Sequence, residues 1–126
     1  MNTILEKQIK LQKGYVDDPS YIKDKNVGQI YDYIQMMQTH MNMEITELLS
    51  SLADDNMKIH KPWSTSYEML RSKHPLSPED TAEEAIDAFC FMMNIMIAAG
   101  VTPENIEGLY QKVYDKNVKR QYDENY

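Results

Sequence analysis

Apolar and polar positions along the chain follow a helical period almost throughout, while strand-like alternation is weak. Thr3 can cap a first helix that carries Ile4, Leu5, Ile9 and Leu11 and ends near Gly14. The following stretch, "YVDDPSYIKDKN", is rich in Asp, Pro and Asn and predicts a loop. A long second helix is expected from about Asn26 to about Leu52. Its apolar stripe would be Ile30, Ile34, Met41, Ile45, Leu48, Leu49 and Leu52. Residues 53–75 break the period, with one short helix around Tyr67–Arg71.

Ser77-Pro78-Glu79-Asp80 predicts the start of a third helix: a capping serine, proline at the first helical position and acids in the first turn. Gly100 predicts its end, as a left-handed cap. Thr102-Pro103-Glu104 starts a fourth helix by the same logic, running to about Tyr122. There is no repeat and no low-complexity segment. The expected fold is a single all-α domain over residues 1–126, a four-helix-type bundle with short connections.

The third helix makes such a bundle incomplete. In "EEAIDAFCFMMNIMIAAG", residues 83–100, only Asp87 and Asn94 are strongly polar between Ala85 and Ala99. A helix apolar on so many sides needs more cover than two or three neighbours from one chain supply. The bundle is therefore expected to be completed by subunit association, as a homodimer or tetramer with this helix near its centre.

The polar residues of that helix are the first candidate chemistry. Glu84, Asp87, Phe91, Asn94 and Ala98 share one stripe, opposite Ile86, Phe89, Met93 and Met96. With both sides covered, Glu84 and Asp87 would be partly buried, and two such carboxylates stay ionised only beside a compensating cation. A divalent metal fits, because hard cations take carboxylate oxygens. The second helix offers a matching pair, Glu44 and Glu47, also three residues apart. Taken alone, that pair reads as ordinary solvated surface. Two E-x-x-[ED] pairs on separate helices could instead converge on Mg²⁺, with Mn²⁺ able to substitute.

The fourth helix carries the opposite charge. Its expected inward stripe begins Ile106, Leu109, Tyr110 and Val113, and continues to Asn117 and Arg120 beside Lys112, Lys116 and Lys119. An arginine and an amide next to a lysine row suit phosphate oxygens. A solvated basic end of a helix accounts for the same residues equally well.

Composition narrows the class. A net charge of −7 over 126 residues argues against nucleic-acid binding. The single cysteine, Cys90, allows no disulfide framework and reads as core in a reducing cytoplasm. "MNTILEKQIK" lacks a signal-peptide apolar region, and the run from Ala85 to Ala99 is too short to span a bilayer, so no membrane role is expected. His40, His60 and His74 lack zinc-ligand spacing, and the four glycines form no phosphate loop. No serine or threonine has a nucleophile's context.

Taken in order, "LEKQIKLQK", "EITELL", "HKPWS", "EEAIDAFCFMMNIMIAAGVTPENIEGLY" and "DKNVKRQYDENY" resemble the all-α nucleoside triphosphate pyrophosphatases, the superfamily of MazG and the dimeric dUTPases. The likeness is strongest to the phage dCTPase–dUTPase and dimeric dUTPase branch and runs from about residue 5 to the end. It implies Mg²⁺-dependent hydrolysis of a nucleoside triphosphate, dUTP and/or dCTP, to the monophosphate and pyrophosphate. It also implies metal ligands Glu44, Glu47, Glu84 and Asp87, with Glu47 activating water and Arg120 stabilising the pyrophosphate. Asn94 and Asn117 would position phosphate or sugar. Gln12, of the Leu11-Gln12 pair, would contact the base, and Trp63 would help close the pocket.

The chain departs from the family pattern in three places. Aligned on Arg120-Gln121, the family's K-N falls on Val113-Tyr114, which leaves Lys112 or Lys116 as the phosphate lysine. The closing G-Y is "ENY" here, and the histidine after the E-x-x-D motif is Cys90. A MazG-like pyrophosphatase of broader or non-canonical substrates remains an alternative, as does a non-catalytic helical oligomer that binds a partner. A phage source would place the protein in the host cytoplasm.

Overall fold

The computed structural model describes residues 2–15, 17–52 and 78–122. The described residues form helices and turns, with no strand among them: α1 (Asn2–Gln12), α2 (Pro19–Ile22), α3 (Val27–Leu52), α4 (Pro78–Ala98) and α5 (Ile106–Tyr122). The all-α class follows. The expected helix at Tyr67–Arg71, the capping Ser77, Trp63, His60 and His74 lie outside the described residues.

Local capping chemistry sets several of the helix boundaries. At the start of α3, the Gln29 backbone N–H donates to Asn26 Oδ1 at 2.9 Å, and the Asn26 N–H donates to Gln29 Oε1 at 3.4 Å. That is a reciprocal capping box with amides in both roles. Gly100, at φ +103°, ends α4. Its N–H donates to Ile97 O at 3.0 Å, and the Val101 N–H donates to Met96 O at 2.9 Å, the paired bonds of a Schellman cap. Before α5, the Asn105 N–H donates to Thr102 Oγ1 at 3.1 Å and the Thr102 N–H donates to Asn105 Oδ1 at 2.7 Å.

The segment expected to be loop contains the short helix α2. Asp18 caps it by accepting from the Ser20 N–H at 2.9 Å, and Pro19 occupies its first turn. Residues that signal a turn thus start a helix here, because the Asp-Pro pair satisfies the first backbone donors.

The chain divides into two compact units, one of residues 1–33 with 93–126 and one of residues 34–92. In the first, Leu5, Pro19, Tyr33, Met93, Ile97, Ala98 and Ile106 are buried, together with Gln8 and Asn94. The Tyr33 hydroxyl donates to the Asp17 carbonyl at 2.7 Å and ties the turn before α2 to α3. Burial, and then the charges of Asp17 and Asp18, push the Tyr33 phenol well above its ordinary pKa. In the second unit Met37 and Ala88 are buried.

Two expected apolar stripes are only partly covered; on α3, Ile30, Ile34, Met41 and Leu48 are half-buried. On α3 the buried side chains are Tyr33 and Met37, while Ile45 and Leu49 are exposed. On α5 only Ile106 of the expected inward stripe is buried; Leu109, Tyr110 and Val113 are exposed, as are Asn117 and Arg120. Ile86 of α4 is likewise exposed at 58%. Periodicity finds an apolar face but not which neighbour covers it, and these side chains are exposed among the described residues.

Candidate active site

Within residues 34–92, early positions of α3 meet late positions of α4, so the two segments run antiparallel. The His40 ring stacks on Phe91 with centroids 5.3 Å apart and planes 26° from parallel. Further along α3, carboxylate oxygens of Glu44 and Glu47 converge with one of Glu84, all within 4.8 Å of one another. A step of four and then three residues along α3 (40, 44, 47) is matched by a step of four and then three back along α4 (91, 87, 84). Helical spacing puts each trio on one face.

Desolvation and mutual repulsion act together on this group. The Glu44 carboxyl is held above its ordinary pKa by desolvation first, then by the Glu47 charge and its hydrogen bond with Glu47, and then by Asp87 and Glu84. Glu44 and Glu84 are half-buried and Glu47 is exposed. Oε2 of Glu84 is a buried oxygen that accepts no hydrogen bond, although the residue has other interactions. The Cys90 thiol is pushed up by burial and then by the charges of Asp87 and Glu44.

These observations bear unevenly on the expected ligands. The E-x-x-E pair, Glu44 and Glu47, comes together with Glu84. Asp87, expected to be partly buried, is exposed and stands outside the converging three, though its charge reaches Glu44. Three converging carboxylates are hard oxygen donors of the kind that Mg²⁺ and Mn²⁺ take, so the residues present fit a divalent cation. A cation there would also offset the repulsion that raises Glu44.

In the unit formed by residues 1–33 and 93–126 the notable polar contact is between amides. Gln8 Nε2 donates to Asn94 Oδ1 at 2.9 Å, with Gln8 only 4% exposed and Asn94 2%. Asn94 was expected to matter; Gln8 was not. Gln12, the expected base contact, is half-buried. The signal for Gln8 lay in its spacing, three residues after Leu5, the fully buried leucine of α1. Gln8→Leu is expected to cost about 1–3 kcal/mol in denaturant unfolding, because it strips a partner from a buried amide. Gln12→Leu should stay within about 0.5 kcal/mol. Equal losses would show that the Gln8–Asn94 bond contributes nothing particular.

On α5, Lys112, Lys116, Asn117 and Arg120 are all exposed, and Arg120 has a partner of its own. Among the described residues no helix is long and apolar enough to cross a membrane.

Comparison with known proteins gives the lineage. The chain is 33% identical over 108 residues to the dCTP pyrophosphatase of Enterobacteria phage LZ5, covering 77% of this chain and 63% of that protein. It is 26% identical over 130 residues to the dCTP pyrophosphatase of Enterobacteria phage T4, covering 93% and 76%. It is also 25% identical over 119 residues to a DNA replication protein of phage T4, covering 84% of this chain but 30% of that protein. The chain thus spans less than two thirds of the LZ5 protein's length. No family model matches it, and no solved structure matches significantly. This chain is related to the phage dCTP pyrophosphatases, the branch of the all-α nucleoside triphosphate pyrophosphatases that its motifs resemble.

Proposed function

We propose that this protein is a Mg²⁺-dependent pyrophosphohydrolase that cleaves dCTP, dUTP or both to the monophosphate and pyrophosphate. The observation that carries this reading is the convergence of Glu44, Glu47 and Glu84 from two helices in a chain related to dCTP pyrophosphatases. Asp87, one turn along α4 from Glu84, is the fourth carboxylate of the set. A bound divalent cation would neutralise triphosphate charge and make water a better nucleophile.

The chain's own residues then have distinct tasks. Glu44 and Glu84, half-buried, hold their oxygens in place for the cation. Glu47 is the exposed member of the three, so it is the one open to water. It orients that water and accepts its proton as the oxygen attacks phosphorus. Arg120 stabilises the negative charge that develops on the departing pyrophosphate, where a guanidinium can make two parallel bonds to phosphate oxygens. Lys112 or Lys116 adds a further positive charge, and Asn117 hydrogen-bonds phosphate or sugar. Gln12, half-buried at the end of α1, contacts the base, and Asn94 positions phosphate or sugar. Trp63 keeps the role of helping to close the pocket.

Subunit association is part of the proposal. Among the described residues of 34–92, Met36, Met43, Ile45, Leu49, Ile86 and Met92 are exposed, apolar side chains of the kind that mark an interaction surface. A second copy of the chain, as dimer or tetramer, would cover it.

A panel of single nucleoside and deoxynucleoside triphosphates with Mg²⁺ tests the reading. Pyrophosphate release from dCTP or dUTP alone is the expected result. Comparable turnover of many bases would favour the broader MazG-like alternative. No turnover together with no metal binding would favour the partner-binding oligomer.

A further inference from the structure

The histidine that metal-ligand spacing left without a role has a place in this site. His40 lies one turn before Glu44 on α3, and Phe91 lies one turn beyond Asp87 on α4. Their stacked rings form the next level of the same antiparallel pairing that brings Glu47 and Glu84 together. His40 is not among the converging donors, so its contribution is not that of a ligand.

The electrostatics show what such a contact is for. At the carboxylate levels α3 and α4 present like charges to each other, with oxygens of Glu44, Glu47 and Glu84 all within 4.8 Å. Like charges facing across two helices push them apart or out of register. A ring pair stacked one turn away resists both motions, because stacking falls off with separation and with sliding. One turn is about 5.4 Å, close enough for a fixed contact to fix the carboxylates' approach.

We propose that His40, through its stack on Phe91, is a positioning residue that holds Glu44 and Glu47 of α3 against Glu84 of α4 in the geometry that binds a divalent cation. This rests on the metal reading above. The ring matters here, and its nitrogens do not.

Mn²⁺ titration followed by electron paramagnetic resonance tests this, with helicity checked by circular dichroism. His40→Leu and Phe91→Leu should each weaken Mn²⁺ binding by about tenfold or more, the scale of lost outer-shell support. His40→Phe keeps a stacking ring and should bind within about twofold of the unaltered chain. The double variant His40→Leu/Phe91→Leu should bind no more weakly than either single variant, since the two rings act as one contact. Unaltered affinity in His40→Leu would overturn the proposal. So would a His40→Phe variant as weak as His40→Leu, because the nitrogens would then be what counts. Loss of helicity in both leucine variants would overturn it too, by making the pair a core contact rather than a positioning one. If the unaltered chain binds no Mn²⁺, the metal reading fails and the proposal with it. Failure in the variants alone leaves that reading standing.

Discussion

Glu84→Gln should reduce pyrophosphate release from dCTP or dUTP by on the order of a hundredfold to a thousandfold while leaving the chain folded. That range is the scale lost when one preorganised group that stabilises the transition state is removed. The two halves of the expectation have one cause. Glu84 converges with Glu44 and Glu47, and Gln has nearly the same shape but carries no charge, so the cation loses a hard anionic donor. The fold loses a source of repulsion instead: Glu84 is among the charges that raise Glu44. The metal-free variant should therefore melt no lower than the unaltered chain. Activity assays beside thermal melts read both. Retained turnover would remove Glu84 from the site, and collapse of the fold would make the residue structural.

The second large effect is a pH-dependent response to metal. The Glu44 carboxyl is raised in the folded chain, chiefly by desolvation and by Glu47. A raised carboxyl binds its proton more tightly folded than unfolded, so its stabilising contribution is full below the ordinary carboxylate pKa. That contribution is lost as pH rises through the raised value. Without divalent cation, this group makes the protein less stable at pH 8 than near pH 5. A cation competes with the proton for the same oxygens, so Mg²⁺ or Mn²⁺ should stabilise more at pH 8 than at pH 5. At a hundred times its dissociation constant a ligand adds about 2.7 kcal/mol, several degrees in melting temperature for a chain of this size. Melting curves at the two pH values, with and without Mn²⁺, test it. An equal shift at both would mean that the cation binds elsewhere.

Features fixed by neighbouring residues were legible in the sequence. The caps at Asn26, Gly100 and Thr102 are local chemistry; α3 starts and α4 ends where Asn26 and Gly100 put them. A turn over residues 103–105, however, delays α5 to Ile106, and α1 begins at Asn2, ahead of the expected Thr3 cap. The pair spacing of Glu44/Glu47 was equally legible, as was the odd placement of Asn94 in an apolar helix. What needed the structure was the choice of partner. Ile45, Leu49 and Val113 are apolar and periodic yet exposed in the chain, while Gln8 and His40 are polar and lie in the contacts that matter. A hydropathy pattern discounts polar positions, so a glutamine and a histidine that pack inward pass unnoticed until their partners, Asn94 and Phe91, are found across the fold. Asp87 shows the converse. Its sequence position made it as strong a ligand candidate as Glu84, but its side chain is exposed and outside the converging three.

The central claim is that these carboxylates serve hydrolysis of a deoxynucleoside triphosphate to monophosphate and pyrophosphate. Phosphorus-31 NMR of dCTP incubated with Mg²⁺, with the unaltered chain and the Glu84→Gln variant side by side, tests it most directly. The account predicts growth of dCMP and a single pyrophosphate resonance with the unaltered chain, and neither on the same timescale with the variant. Release of orthophosphate with dCDP, or equal turnover by the two proteins, would contradict it.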